Sequence, residues 1–442
     1  MKYIFLLGLL GITLLASFLI AFDLTKNKAI ALLFKRLNEY VFLFITSGVT
    51  IFPFSHLDLA SLGSREKGFL SGALLVCVYG AVFVLLRIRI AQILNHIIIL
   101  FQPKYFRFYL ALILFSALWS ITPLLTLRGG IALALIGGFA VYFAKAYSWQ
   151  QNFQLLRWNQ IIITCFSMFM ALFFPTLAQT EKGWGGAIGH PIDLGNMMAL
   201  TASLWLLHAI HHQKHRWLSF LFCVFSIIVM QLANSAGAFV IFLSLIVIIF
   251  VASLFKKLKF FQAYILFASV LSILTIPSIW LLGNLENILS LLDKDLSFTG
   301  RVPLWNLLIK NQILERLWFG YGYSGFWQPW KRLDNPAALI PRAVGDWAVH
   351  AHNGVIDIIL SVGLVGFILF ALSFLINIER AIKLIISDRQ SASFLPLIVL
   401  SYVFISNLFH SPIMNPGYVW FLYVLVTVKL QDVDNKSHQN LI

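Results

Sequence analysis

Residues 349–376 read VHAHNGVIDIILSVGLVGFILFALSFLI. From Gly354 onward the run is apolar for more than 20 residues. A helix rises 1.5 Å per residue, so roughly 20 apolar residues cross the hydrocarbon layer. The stretch therefore predicts a membrane helix over 354–376. His350, His352 and Asn353 stand directly against it. Imidazole and amide groups are poorly solvated by hydrocarbon. They are either the wet end of a helix or a reactive site at the membrane surface.

Working outward, comparable runs fall near 3–22, 39–55, 68–87, 106–119, 129–147 and 158–178, then near 193–210, 216–233, 236–255, 259–282, 393–409 and 416–430. With 354–376 they predict an all-α polytopic membrane protein of about 12–13 transmembrane helices. The short run 91–101 suits the interface. Residues 3–22 lack a small-residue cleavage site and read as a first membrane helix rather than a signal peptide.

Composition agrees. The 442 residues are 60% hydrophobic and 11% charged, with a mean hydropathy of +0.88. A soluble chain could not cover that much apolar side chain with so little polar surface. The net charge of +15 is assigned to cytoplasmic loops held against anionic lipid headgroups. No basic stripe with interleaved aromatics points to nucleic acid, so no nucleic-acid partner is expected. Cys77, Cys165 and Cys223 lie in apolar runs and show neither metal spacing nor a disulfide framework.

Basic loops set orientation. KNKAIALLFKR (26–37), RIR (87–89), HHQKHR (211–216), KKLK (256–259) and ERAIKLIISDR (379–389) are expected on the cytoplasmic side, with the N-terminus outside. The chain then divides into membrane helices over 1–282 with outer loops at 119–130 and 179–192. A long outer loop spans 283–353, further membrane helices cover 354–430, and a cytoplasmic tail covers 431–442. A loop of that length is expected to be functional, because structureless loops beyond roughly 12–15 residues are uncommon in ordered proteins. Its Trp305, Trp318, Trp327, Trp330, Trp347, Tyr321 and Tyr323 argue for ordered packing at the headgroup level.

Three outer segments carry unusual polar chemistry. LWSITPLLTLRGG (118–130) places Arg128 at the mouth of a helix. EKGWGGAIGHPIDLGN (181–196) brings His190 and Asp193. The long loop brings Arg301, then His350 and His352. Thr299 is a candidate N-cap, Pro303 falls in the first turn, and apolar residues at 305, 308, 309 and 313 form a stripe. Together they predict an amphipathic helix with Arg301 at its N-terminus, where free N–H groups and a guanidinium suit a diphosphate. Arginine snorkelling to lipid phosphate is the plain alternative. The aromatic faces of GYGYSGFW (320–327) suit sugar rings and equally the interface. An imidazole at His352 suits a general base, with His350 as competitor and Asp346 or Asp193 as orienting partners; a helix-end histidine is the alternative. His190, Asp193, Asp346, His350 and His352 lack metal-type spacing, so no metal and no cofactor is expected.

LWSITPLLTLRGG, GAIGHPIDLGNMMAL, TGRVPLW…GYGYSGFW and AHNGVIDIILSVGLVG occur in an order that resembles the O-antigen ligase and exopolysaccharide polymerase superfamily. The likeness covers about 118–430, and the W-S-x-x-P segment is most similar to the exopolysaccharide-production branch. The resemblance implies a GT-C-like glycosyltransferase of the bacterial inner membrane, working at its periplasmic face without metal or nucleotide sugar. The donor would be a glycan on undecaprenyl diphosphate. The acceptor would be a glycan or lipid A–core, and a protein acceptor is a third option. Arg301 and His352 match the catalytic positions. Arg128, His190, Trp305, Tyr321, Tyr323, Trp327, His350 and Asn353 are the expected substrate contacts. Two departures remove cationic or polar groups: GHPIDLG stands where the family often has G-H-K-N-x-L-G, and Ala236 follows Ser235 where a basic residue is common. A transporter is the rival class, but the ionisable residues gather at one outer surface instead of mid-membrane.

Overall fold

The computed structural model describes residues 39–40, 43, 90–290, 301–328, 334–338, 340, 350–388 and 390–439. The described residues are helical almost throughout. Its helices are α1 (Ile90–Leu100), α2 (Lys104–Phe115), α3 (Pro123–Ala146), α4 (Trp149–Phe173), α5 (Pro191–His211) and α6 (Arg216–Leu232). They continue as α7 (Ala236–Leu254), α8 (Phe260–Ser290), α9 (Arg301–Leu307), α10 (Gly354–Ser387), α11 (Leu395–Phe409) and α12 (Tyr418–Gln439). A two-stranded antiparallel hairpin, β1 (Gln179–Thr180) and β2 (Gly183–Trp184), is the one sheet among the described residues.

Among the described residues, five spans are long and apolar enough to cross a membrane: Pro123–Ala146, Trp149–Phe173, Ala236–Lys257, Gly354–Ser387 and Ser391–Phe409. Arg216–Leu232, Phe260–Thr275 and Tyr418–Gln431 are shorter apolar helices. This is an all-α polytopic membrane protein. The helices expected at 3–22 and 68–87, and nearly all of 39–55, lie outside the described residues. The span expected at 106–119 is shorter than anticipated: α2 has 12 residues, and the chain then tightens over Ser116–Leu118. The basic segment 379–389 is not a loop. It continues α10 to Ser387, and Lys383 pairs with Glu379 one turn earlier at 2.6 Å. An i, i+4 acid–base pair supports a helix that has run out of hydrocarbon.

The chain forms two compact units. One comprises 1–95, 154–202 and 221–235; the other comprises 96–153, 203–220 and 236–442. In the second unit, α3, α10, α11 and α12 build the core. Hydrogen bonds tie these apolar surfaces together, as expected where lipid removes the hydrophobic drive between helices. Asn377 Nδ2 donates to Thr427 Oγ1 at 2.8 Å, and Tyr423 Oη donates to Ser373 Oγ at 2.9 Å. Trp420 Nε1 donates to the Leu133 carbonyl at 2.8 Å. Lys429 is buried, and its ammonium meets the carbonyls of Ala144 and Tyr147 at the end of α3. Those carbonyls have no intrahelical partner, so a cation there satisfies them.

α10 is broken at Gly363, where φ is +70°. The break frees backbone groups that hydrocarbon cannot satisfy. The segment after α9 satisfies them instead. Leu364 N donates to Leu317 O at 2.7 Å, Val365 N donates to Trp318 O at 3.2 Å, and Tyr321 N donates to Leu360 O at 2.8 Å. A Cβ on Gly363 would stand 2.1 Å from the Trp318 carbonyl oxygen. The loop thus docks by its backbone into the kink of a membrane helix.

Candidate active site

The opening stretch is the centre of the second unit's polar chemistry. Asn353 caps α10, its Oδ1 accepting from Val355 N at 3.0 Å and Ile356 N at 3.3 Å. Asparagine at this position satisfies otherwise orphaned N–H groups. The amide oxygen of Asn353, a residue expected to contact substrate, is therefore committed to the helix.

Just before the cap, Ala351 is fully buried and clamped at both ends. Its N–H donates to Asp357 at 3.0 Å (Oδ2) and 3.2 Å (Oδ1), and its carbonyl accepts from Trp305 Nε1 at 2.8 Å. Asp357 lies in the first turn of α10 and is 4% exposed. It also accepts from Trp327 Nε1 at 2.8 Å and from the Ser411 hydroxyl. One buried carboxylate thus gathers the histidine loop, the aromatic loop and the segment after α11. A buried charge is tolerated where donors surround it like this.

The clamp fixes the residues either side of Ala351. His352 adopts a left-handed backbone, φ +53°, and donates its N–H to His350 Nδ1 at 3.1 Å. The two rings meet edge to face with centroids 4.0 Å apart. A third ring joins them: His410, from the end of α11, lies 4.5 Å from His350 and 6.3 Å from His352. Sequence reading missed His410, Asp357 and Ser411. The signal for His410 was present in FHSPIMNPG (409–417), a histidine at the C-terminal end of a membrane run followed by two prolines.

The other sequence-predicted residues divide. Trp305 and Trp327 are half-buried; the indole N–H of Trp305 holds the histidine loop at the Ala351 carbonyl, and that of Trp327 holds Asp357. Tyr321 and Tyr323 do not present flat faces; they are 3% and 2% exposed. Tyr321 Oη bonds to Gln312 at 3.0 Å and to Glu315 at 3.0 Å, and burial followed by the Glu315 contact raises its phenol above the ordinary value. Tyr323 Oη donates to Met414 O at 2.6 Å, and burial raises it likewise. Docking buries these two rings, while Trp318 and Phe319 of the same segment stay exposed.

The W-S-x-x-P segment is the surface on which that loop sits. Trp119 Nε1 donates to Phe319 O at 3.1 Å, and Ser116 Oγ accepts from Tyr323 N at 2.9 Å. Gly322, at φ +91°, packs against Ser120, leaving 2.5 Å for a Cβ. Arg128 is exposed in α3, beside Gly129, which packs on Tyr323. Arg301 heads α9, which continues as a wider π turn over Leu308–Ile313. The stripe is as predicted at Leu308 and Ile313, which are buried, while Ile309 is exposed. Thr299 and Asp346 lie outside the described residues.

His190 belongs to the first unit. It precedes α5, with Nδ1 3.4 Å from Asp193 Oδ2. That hydrogen bond, against a smaller effect of burial, raises its pKa above the usual histidine value.

Beneath the histidine loop lies an apolar cavity of about 330 Å³. Gly354, Asn407 and Ile413 line one end, and Phe370, Phe374 and Phe404 lie along it.

Residues 221–371 match the family model described as O-antigen ligase. No curated protein matches the chain.

Proposed function

Membership of the O-antigen ligase superfamily is supported by that match, and from it we propose that the protein is a membrane glycosyltransferase that polymerises exopolysaccharide repeats. The donor is a glycan on undecaprenyl diphosphate and the acceptor is a sugar hydroxyl, met at the periplasmic face of the bacterial inner membrane. The observation that carries the reading is the imidazole cluster held at the mouth of α10 by Asp357, directly above an apolar cavity.

A diphosphate departs readily once its charge is held, so the protein has three tasks: to neutralise it, to orient the anomeric carbon and to take the acceptor proton. Arg301 and Arg128 hold the diphosphate. His352 takes the hydroxyl proton as the acceptor oxygen bonds to the anomeric carbon. The glycosidic C–O bond to phosphate breaks on the opposite face, undecaprenyl diphosphate leaves, and configuration inverts. No metal and no cofactor enters this scheme. The cavity beneath Gly354 takes part of the polyprenyl chain.

The W-S-x-x-P segment, with its likeness to the exopolysaccharide branch, favours polymerisation over ligation to lipid A–core. The test is the product formed by purified protein from lipid-linked repeats, with and without lipid A–core. Polymer without core, lost in Arg301→Ala, is the expected result. Capped lipid A as the only product makes the protein a ligase. Full polymer from Arg301→Ala removes the proposed diphosphate clamp.

A further inference from the structure

The imidazole cluster has a capability that sugar transfer does not use. His350 and His352 come from the loop before α10, and His410 comes from the end of α11. One ring nitrogen from each lies within 4.8 Å of the other two. Three imidazoles converging from two elements match the ligand set of three-histidine zinc sites, which leave a fourth position open. Zinc–nitrogen bonds of about 2.0–2.1 Å place such donors roughly 3.3 Å apart, so the cluster closes by about 1.5 Å or less on binding. Side-chain rotation supplies that. The backbone beneath is already fixed, because Ala351 is clamped by Asp357 and Trp305.

The donor set also selects the ion. Imidazoles suit zinc, nickel and copper, while magnesium and calcium require oxygen ligands. Asp357 is occupied by Ala351, Trp327 and Ser411, so its carboxylate supports the site without joining it. His350 Nδ1 accepts the His352 N–H at 3.1 Å. Ligation through that nitrogen exchanges one long hydrogen bond for a metal bond.

We propose that His350, His352 and His410 form a zinc-class transition-metal site, and that an ion bound there occupies the ring nitrogen of His352 and so inhibits. Binding stands on geometry alone; inhibition rests on the reading of His352 as the acceptor's base.

The experiment uses the full chain in detergent with any histidine tag removed. Zinc chloride is titrated against a chromophoric competitor, and diethylpyrocarbonate labelling of His352 is read by mass spectrometry at each zinc level. One ion per chain is expected, unaffected by excess magnesium, with His352 protected as the site fills. His410→Ala and His410→Gln, each checked for an unchanged elution profile, are expected to lower affinity by about tenfold or more. The pair guards against a folding defect in either one. Equal zinc affinity in both variants, or full labelling of His352 at saturating zinc, overturns the proposal. Neither readout involves sugar transfer, so the metal site stands or falls independently of the transferase reading.

Discussion

His352 is held at φ +53°, a conformation that costs a non-glycine residue roughly 1–2 kcal/mol. That cost separates chemistry from folding. In His352→Gly the backbone strain is relieved while the imidazole is lost. The variant should melt within about 1 kcal/mol of the parent yet lose about 10²-fold or more in transfer rate, the ordinary contribution of a general base. Retained turnover would return His352 to a helix-end role and pass the base to His350. Asp357 makes the opposite prediction. Asp357→Asn keeps the shape but replaces one accepting oxygen with a donor facing Ala351 N–H, Trp327 Nε1–H or the Ser411 hydroxyl. Leaving a buried donor unmatched costs about 1–3 kcal/mol. Thermal unfolding in detergent should show that loss. The transfer rate should fall by about 10²-fold through misplacement of the histidine loop, with donor KM little changed. A variant that melts and turns over like the parent would show that the carboxylate does not position the site.

Among the elements, α10 decides where everything else stands. Its existence was legible from hydropathy alone, since length and apolarity are local properties. Its break was not. SVGLVG is as compatible with close helix packing as with a kink, and the acceptors that make the kink tolerable come from Leu317 and Trp318 in a distant segment. The same limit hid the role of GYGYSGFW. Aromatic residues near a headgroup layer serve a surface or a core equally well, and only the docking into α10 shows that Tyr321 and Tyr323 are interior. The kink yields a sharp expectation. In Gly363→Ala a Cβ meets the Trp318 carbonyl at 2.1 Å, and backbone on both sides prevents an easy shift. Strain of this kind belongs with substitutions that cost about 3 kcal/mol or more. The variant should express poorly or melt far below the parent, and any folded fraction should be inactive. A Gly363→Ala protein of normal stability would mean that the loop is not seated in the kink.

At the scale of the molecule, the runs from 129 to 430 were readable because each is set by its own composition; a described helix falls on each, though α3 and α4 begin earlier and α10 runs on to Ser387. The residues of the candidate site were half legible. His350 and His352 were visible beside their helix, but their companion His410 and their support Asp357 come together only through packing. The apolar cavity is likewise a product of packing, lined by α8, α10 and α11 with one end below the histidine loop. If it holds the polyprenyl chain of the donor, filling it should weaken donor binding while sparing the chemistry. Ala371 and Ala268 line the cavity, so Ala371→Trp and Ala268→Trp each place an indole inside it. Excluding even two methylenes removes about 1.6 kcal/mol of burial at about 0.8 kcal/mol each, a rise in KM of about tenfold or more. The maximal rate should stay within about twofold, because the histidine loop is anchored elsewhere by Trp305, Trp327 and Ser411. A donor whose lipid is too short to reach the cavity supplies the comparison, since its KM should not respond to either indole. Equal effects on long-chain and short-chain donors would mean that the cavity shapes the fold and does not hold the lipid.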